Sequence, residues 1–149
     1  MISKKILREL IEQKLSDADI LIANRRYASA IYISGYALEL ALKLKICKIF
    51  KFAQGFPENK TEFIFYQNSL KSQPLLAGTI TQIKEIKSHD LNKLLFYSGV
   101  EVQIKLNFLT EWNLVAGWDP EMRYKIQKVP KREAVKKVTA IKIIVQNIL

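Results

Sequence analysis

Asn24-Arg25-Arg26-Tyr27-Ala28-Ser29-Ala30-Ile31-Tyr32-Ile33-Ser34-Gly35-Tyr36-Ala37-Leu38-Glu39-Leu40-Ala41-Leu42-Lys43 is the stretch on which the reading of this chain turns. It opens with two cations and an aromatic and then becomes almost wholly apolar and small. A helix that is apolar on every side belongs inside a bundle, not on its surface. Ala28, Ala30, Ser34, Gly35, Ala37 and Ala41 would let neighbouring helices come close, and Gly35 is expected at a close helix crossing. One carboxylate interrupts the run: Glu39 stands four residues before Lys43, the favourable order for a helical ion pair.

Outward from this segment the periodicity stays helical. Ile6, Leu10, Leu15, Ala18, Leu21 and Ile22 recur every three to five residues, which predicts an amphipathic helix over 2–23. Asn24 and the two arginines make a turn, and the central helix runs from Tyr27 to about Phe50, where Gly55, Pro57 and Asn59 stop it. In the segment 55–88, Thr61 is a candidate cap for a short helix carrying Phe63, Ile64, Phe65 and Tyr66. Pro74 and Gly78 break any regular structure beyond it, and Ile80, Ile83 and Ile86 fit either a helix or an extended strand. Ser88 or Asp90 caps a further helix that Gly99 ends. A largely buried helix is expected over 101–116, with Val102, Leu106, Leu109 and Trp112 on one side and Ile104, Phe108 and Val115 on another. The last helix starts at Pro130 and turns Val135, Val138, Ile141, Ile144, Val145 and Ile148 inward. The fold class is all-α: an antiparallel up-and-down bundle of about five helices forming a single domain over 1–149.

With 149 residues, 49% of them hydrophobic, the chain can bury a core of its own. No apolar run reaches the roughly 18 residues of a membrane span, and the opening Met1-Ile2-Ser3-Lys4-Lys5 lacks the apolar run and cleavage site of a secretory signal. The single cysteine, Cys47, lies between Ile46 and Ile49, reads as a small core residue, and fits a reducing, cytoplasmic location. The formal charge of +10 suits a polyanionic partner. Its 24 cations are lysines apart from Arg8, Arg25, Arg26, Arg123 and Arg132 and are spread along every helix, so solvated helix faces explain the charge equally well.

Few residues invite chemistry. One His and one Cys cannot assemble a conventional zinc site, and neither common glycine-rich phosphate loop is present. No metal and no cofactor are expected. His89 has two readings: a polar group that orders the start of a helix, or a donor to phosphate at that helix N-terminus. Tyr27, Tyr36, Tyr124, Trp112 and Trp118 offer faces for stacking a base, or else belong to the core. Glu39 and Lys43 either satisfy one another inside the bundle or leave Lys43 free for a ligand.

Four segments together resemble the HEPN family, helical bundles found beside nucleotidyltransferases and in RNA-cleaving toxins. They are Arg26-Tyr27 with the glycine C-terminal to it, Ala37-Leu38-Glu39-Leu40-Ala41-Leu42-Lys43, Ser88-His89-Asp90-Leu91 with Leu94-Leu95, and Met122-Arg123-Tyr124. They fall in the family's order and span about half the chain. The resemblance implies a homodimer, with a nucleotidyltransferase as a possible partner. The family's ribonucleases place an Arg four to six residues before a His. None of the five arginines here meets that spacing, and Lys84, four intervening residues before His89, is a poor substitute for a bidentate phosphate ligand.

The resulting expectation is a non-catalytic HEPN-like domain, with no catalytic residue, that binds a nucleotide, RNA or other polyanion or docks a nucleotidyltransferase. Its candidate binding residues are Arg25, Arg26, Tyr27, Lys43, His89, Arg123 and Tyr124. The rivals are a degenerate HEPN ribonuclease toxin and a purely structural helical interaction module.

Overall fold

The computed structural model describes residues 1–71 and 85–149. The positions 74, 78, 80, 83 and 84, on which part of the sequence reading of the 55–88 segment rests, lie outside them. The fold is all-α. Among the described residues it comprises α1 (Lys4–Ala23), α2 (Tyr27–Ile49), α3 (Lys60–Lys71), α4 (Leu91–Tyr97), α5 (Glu101–Asn107), α6 (Leu109–Val115), a 3₁₀ turn (Pro120–Tyr124) and α7 (Lys131–Ile148).

α2 is the axis of the bundle. α1, α4, α7 and the 3₁₀ turn all pack on it, and it buries residues around its whole circumference from Ala30 to Cys47. Leu38, Leu42 and Leu44 are wholly inaccessible, and each such side chain contributes about 1.5–3 kcal/mol relative to an exposed position. Cys47 is equally enclosed, and burial pushes its thiol up to about 12.

α1 and α2 are joined by a turn of three residues. Asn24 caps α1, Arg25 follows at φ 60°, and the N–H groups of Arg25 and Arg26 return to the carbonyls of Ile22 and Leu21. These are the paired bonds of a Schellman termination, in which glycine normally fills the left-handed position. α2 ends in the same way. Lys51 stands at φ 53°, and Lys51 and Phe52 donate to Lys48 and Cys47. Each cation lies where the negative end of a helix dipole favours it.

Beyond α2, Phe56 pairs antiparallel with Ile2 through two backbone bonds of 2.8 and 2.9 Å. Gly55 makes this possible: its φ is 118°, and a Cβ there would run into the backbone of Ile2. Asn59, not Thr61, serves the start of α3, its side chain accepting from the Glu62 N–H at 3.0 Å. Asp90 caps α4 by accepting from Asn92 and Lys93, and Gly99, at φ 70°, follows the helix as a stop.

The helix expected over 101–116 is instead two helices broken at Phe108, whose φ of −137° and ψ of 34° leave the helical region. Ile104, Trp112 and Val115 face the core, whereas Val102, Leu106 and Leu109 are 71%, 78% and 51% exposed. The break at Phe108 reorients the second helix, so that Trp112 leaves the stripe of Val102, Leu106 and Leu109 and faces inward with Ile104 and Val115. In α7, against expectation, Val135 is exposed, and Ala134 and Ala140 pack inward with Val138, Ile141, Ile144, Val145 and Ile148. The small side chains let α7 lie close against α2.

Gly35 does not mark a helix crossing. The space its Cβ would fill is taken by the indole of Trp118, from the loop after α6, and Trp118 Nε1 donates to the Tyr32 carbonyl at 3.2 Å. Gly35→Ala should therefore destabilise the protein by about 1–3 kcal/mol through overpacking, although alanine is the better helix former by about 1 kcal/mol. In a Trp118→Ala background the same change should become stabilising. Chemical denaturation of the four proteins checks this inversion of sign.

Candidate functional site

Three groups of polar residues gather around α2, and the segment from Gly117 to Pro130 touches all of them. The first lies at the N-terminus of α2. Arg25, Arg26, Tyr27, Ala28 and Ser29 form one wall of an open cleft of about 580 Å³, and Gln127, Lys128, Val129 and Pro130 form the other. Arg26 occupies the N-cap position and makes no capping bond through its side chain. The first amides of a 23-residue helix thus open into a cleft that carries three cations. Amides and dipole both favour an anion there.

The second group centres on Glu39, which is 2% exposed. Lys43 Nζ donates to its Oε1, and the same ammonium lies 5.1 Å from the centre of the Phe56 ring. His89 Nδ1 stands 3.0 Å from both carboxylate oxygens. A carboxylate only accepts, so Nδ1 carries the proton. Taking a carboxylate out of water costs several kcal/mol, which a close cation and good hydrogen bonds must offset. The i, i+4 spacing supplies the first partner, and the start of α4 supplies the second. Lys43 is itself mostly enclosed and committed to this pair.

The third group is aromatic. Trp118, seated on Gly35, meets Tyr36 edge-on at 4.9 Å, and Tyr36 meets Tyr32 edge-on at 5.1 Å. Burial, with the Tyr32 hydroxyl beside it, pushes the Tyr36 phenol up to about 12. Arg123, on the 3₁₀ turn, has its own pKa raised chiefly by the Tyr32 hydroxyl. Its guanidinium also stacks over Tyr124, 4.6 Å from the ring centre. Tyr124 is 71% exposed, while Trp112 and Trp118 are core residues. Of the proposed stacking faces, Tyr124 is the open one and Tyr27 is half-buried.

The seven candidate residues thus fall in three places. Arg25, Arg26 and Tyr27 share the basic cleft; Lys43 and His89 share Glu39; Arg123 and Tyr124 cover the aromatic cluster between them. His89 is not the helix cap, because Asp90 fills that position. Its side chain, 59% exposed, lines a separate cleft of about 330 Å³ with Asp90, Asn92, Trp118 and Asp119. Two carboxylates there oppose a phosphate. Sequence reasoning missed Lys128 as a cleft cation, though it lies in the basic stretch that leads into α7. It also missed Asn92, whose side-chain oxygen accepts from Trp112 Nε1 at 3.3 Å; nothing in its local sequence signals that long-range bond.

Comparison with protein-family models, with curated proteins and with solved structures finds no match to this chain.

Because Glu39 is buried with its partners, Lys43→Met should cost about 3–5 kcal/mol, the penalty of an orphaned buried charge. Glu39→Gln combined with Lys43→Met should cost less than the sum of the two single changes. A double-mutant cycle by urea denaturation measures the coupling.

Proposed function

We propose that the chain is a HEPN-like domain that binds a nucleotide, RNA or another polyanion without catalysing its cleavage, with phosphate held in the Arg25–Arg26–Lys128 cleft. The observation that carries this reading is the uncapped start of α2 opening between three cations. Two arginines can each offer a planar pair of donors to phosphate oxygens, and the helix amides add donors that need no side chain to be ordered. Tyr27 supplies an aromatic edge at the same rim. Arg123 and Tyr124 lie on the segment that forms the facing wall, close enough in sequence to Lys128 to extend the contact along a longer strand.

A docked partner, expected from the family resemblance as a second copy or a nucleotidyltransferase, is supported by a different feature. Val102 and Leu106, one turn apart on α5, are both more than two-thirds exposed. Replacing both with lysine should convert a dimer to a monomer in light scattering. An unchanged mass would remove this part of the reading.

Binding is tested by titrating a fluorescent oligoribonucleotide into the protein at several salt concentrations. Arg26→Ala and Lys128→Ala should each weaken binding, and each should lower the slope of log K against log salt by about 0.7, the share of one single-strand phosphate contact. RNA should remain intact. Cleavage that disappears in His89→Ala would establish the ribonuclease alternative, and no binding at low salt would leave the structural one.

Arg25 gives a sharper test, because its left-handed backbone costs about 1 kcal/mol that glycine would not incur. Arg25→Gly should therefore raise thermal stability and weaken binding together. Lys51→Gly, relieving the same strain at the other end of α2, should raise stability alone.

A further inference from the structure

The basic cleft uses neither Glu39 nor His89, yet these two join separate elements through a carboxylate that is 2% exposed. The geometry points to a second site, in which we propose that His89 is a carboxylate-oriented nucleophile, its Nε2 presented to the cleft shared with Asn92 and Trp118. Its ligand would be a neutral or cationic acyl compound.

Three observations converge. Glu39 is buried and holds the Nδ1 proton of His89 between its two oxygens at 3.0 Å each. With the proton on Nδ1, the lone pair of the uncharged ring falls on Nε2, and among the described residues Nε2 has no partner. The imidazole is 59% exposed and lines a cleft of about 330 Å³, so that nitrogen can be reached from outside. Asn92, in the same cleft, spends its side-chain oxygen on Trp112 Nε1, which leaves its amide N–H groups as donors. A nucleophile, an orienting carboxylate and an amide donor are the parts that acyl transfer requires.

Charge selects the ligand. Asp90 and Asp119 line the cleft, each with one oxygen committed to a helix or turn cap, and Lys43 points its ammonium at Glu39. The cleft is therefore acidic, in contrast to the Arg25 cleft, and favours a neutral or cationic acyl compound over a phosphate ester.

The step balances with water as the only co-reactant. The Nε2 lone pair attacks the ester carbonyl carbon, the Nε2–C bond forms, and the C–O bond to the leaving alkoxide breaks. The alkoxide takes a proton from water, while the Nδ1 proton stays on the ring against Glu39 and the acylated ring is cationic. The hydroxide so formed attacks the acyl carbon, the Nε2–C bond breaks, the acid departs and the neutral ring returns with its Nδ1 proton in place. As the acylated ring becomes positive, Glu39 stabilises it.

His89 is the single histidine of the chain, so the test reads one group. ¹⁵N-histidine NMR at alkaline pH should show the proton on Nδ1, against the Nε2–H preference of free histidine. Diethyl pyrocarbonate should carbethoxylate one equivalent per chain, reversibly with hydroxylamine, and faster than it modifies N-acetylhistidine. In Glu39→Gln/Lys43→Met, which leaves no orphaned charge, the tautomer should revert and the rate should fall about 10–100-fold, the usual loss when an orienting carboxylate is removed. p-Nitrophenyl acetate should be hydrolysed by the wild type and not by His89→Gln. An Nε2–H tautomer in the wild type would overturn the proposal. So would a rate no greater than that of N-acetylhistidine and unchanged in the double variant.

Discussion

The indole of Trp118 lies where any residue larger than glycine at position 35 would place its Cβ, and this one contact decides how the second half of the chain meets the first. Residues 117–130 have little regular structure beyond a single 3₁₀ turn, so they must be anchored by side chains. Trp118 is the deepest anchor, wedged on α2 and bonded to the Tyr32 carbonyl. Once it is seated, Asp119 is placed in the cleft beside His89, Arg123 is placed over Tyr32, and Lys128 faces Arg25. Both clefts owe a wall to this one seat.

A second constraint is electrostatic. A carboxylate enclosed in the core is unfavourable unless its neighbours are fixed, and fixing them ties separate parts of the chain together. Lys43 comes from the same helix. His89 comes from the loop before α4, which carries no long hydrophobic stripe of its own. The Glu39–His89 contact thus adds a polar tether to the apolar packing of Leu91, Leu94 and Leu95.

Much of the architecture could be read from residue spacing. The extents of α1 and α2, the cap at Asp90 and the stop at Gly99 follow from local rules of capping and periodicity. The break at Phe108 did not, because the apolar pattern of 101–116 continues through it and only the packing shows that Trp112 parts from Val102, Leu106 and Leu109 to face inward with Ile104 and Val115. The site was legible in pieces. Arg25, Arg26 and Tyr27 stand out as a cluster, and the Glu39–Lys43 pair is a matter of counting four. That His89 turns to Glu39, fifty residues earlier, and that Lys128 closes the basic cleft are tertiary facts. Neither pair shares a helix or a turn, so no periodicity connects them.

Cys47 has a quieter consequence. Its thiol is wholly enclosed, and burial pushes it up to about 12, so an alkylating reagent at neutral pH meets almost no thiolate in the closed molecule. Modification must pass through molecules in which α2 has parted from its neighbours. Labelling of this one sulfur is therefore a clock for the breathing of the bundle, and its rate measures how often the central helix comes free.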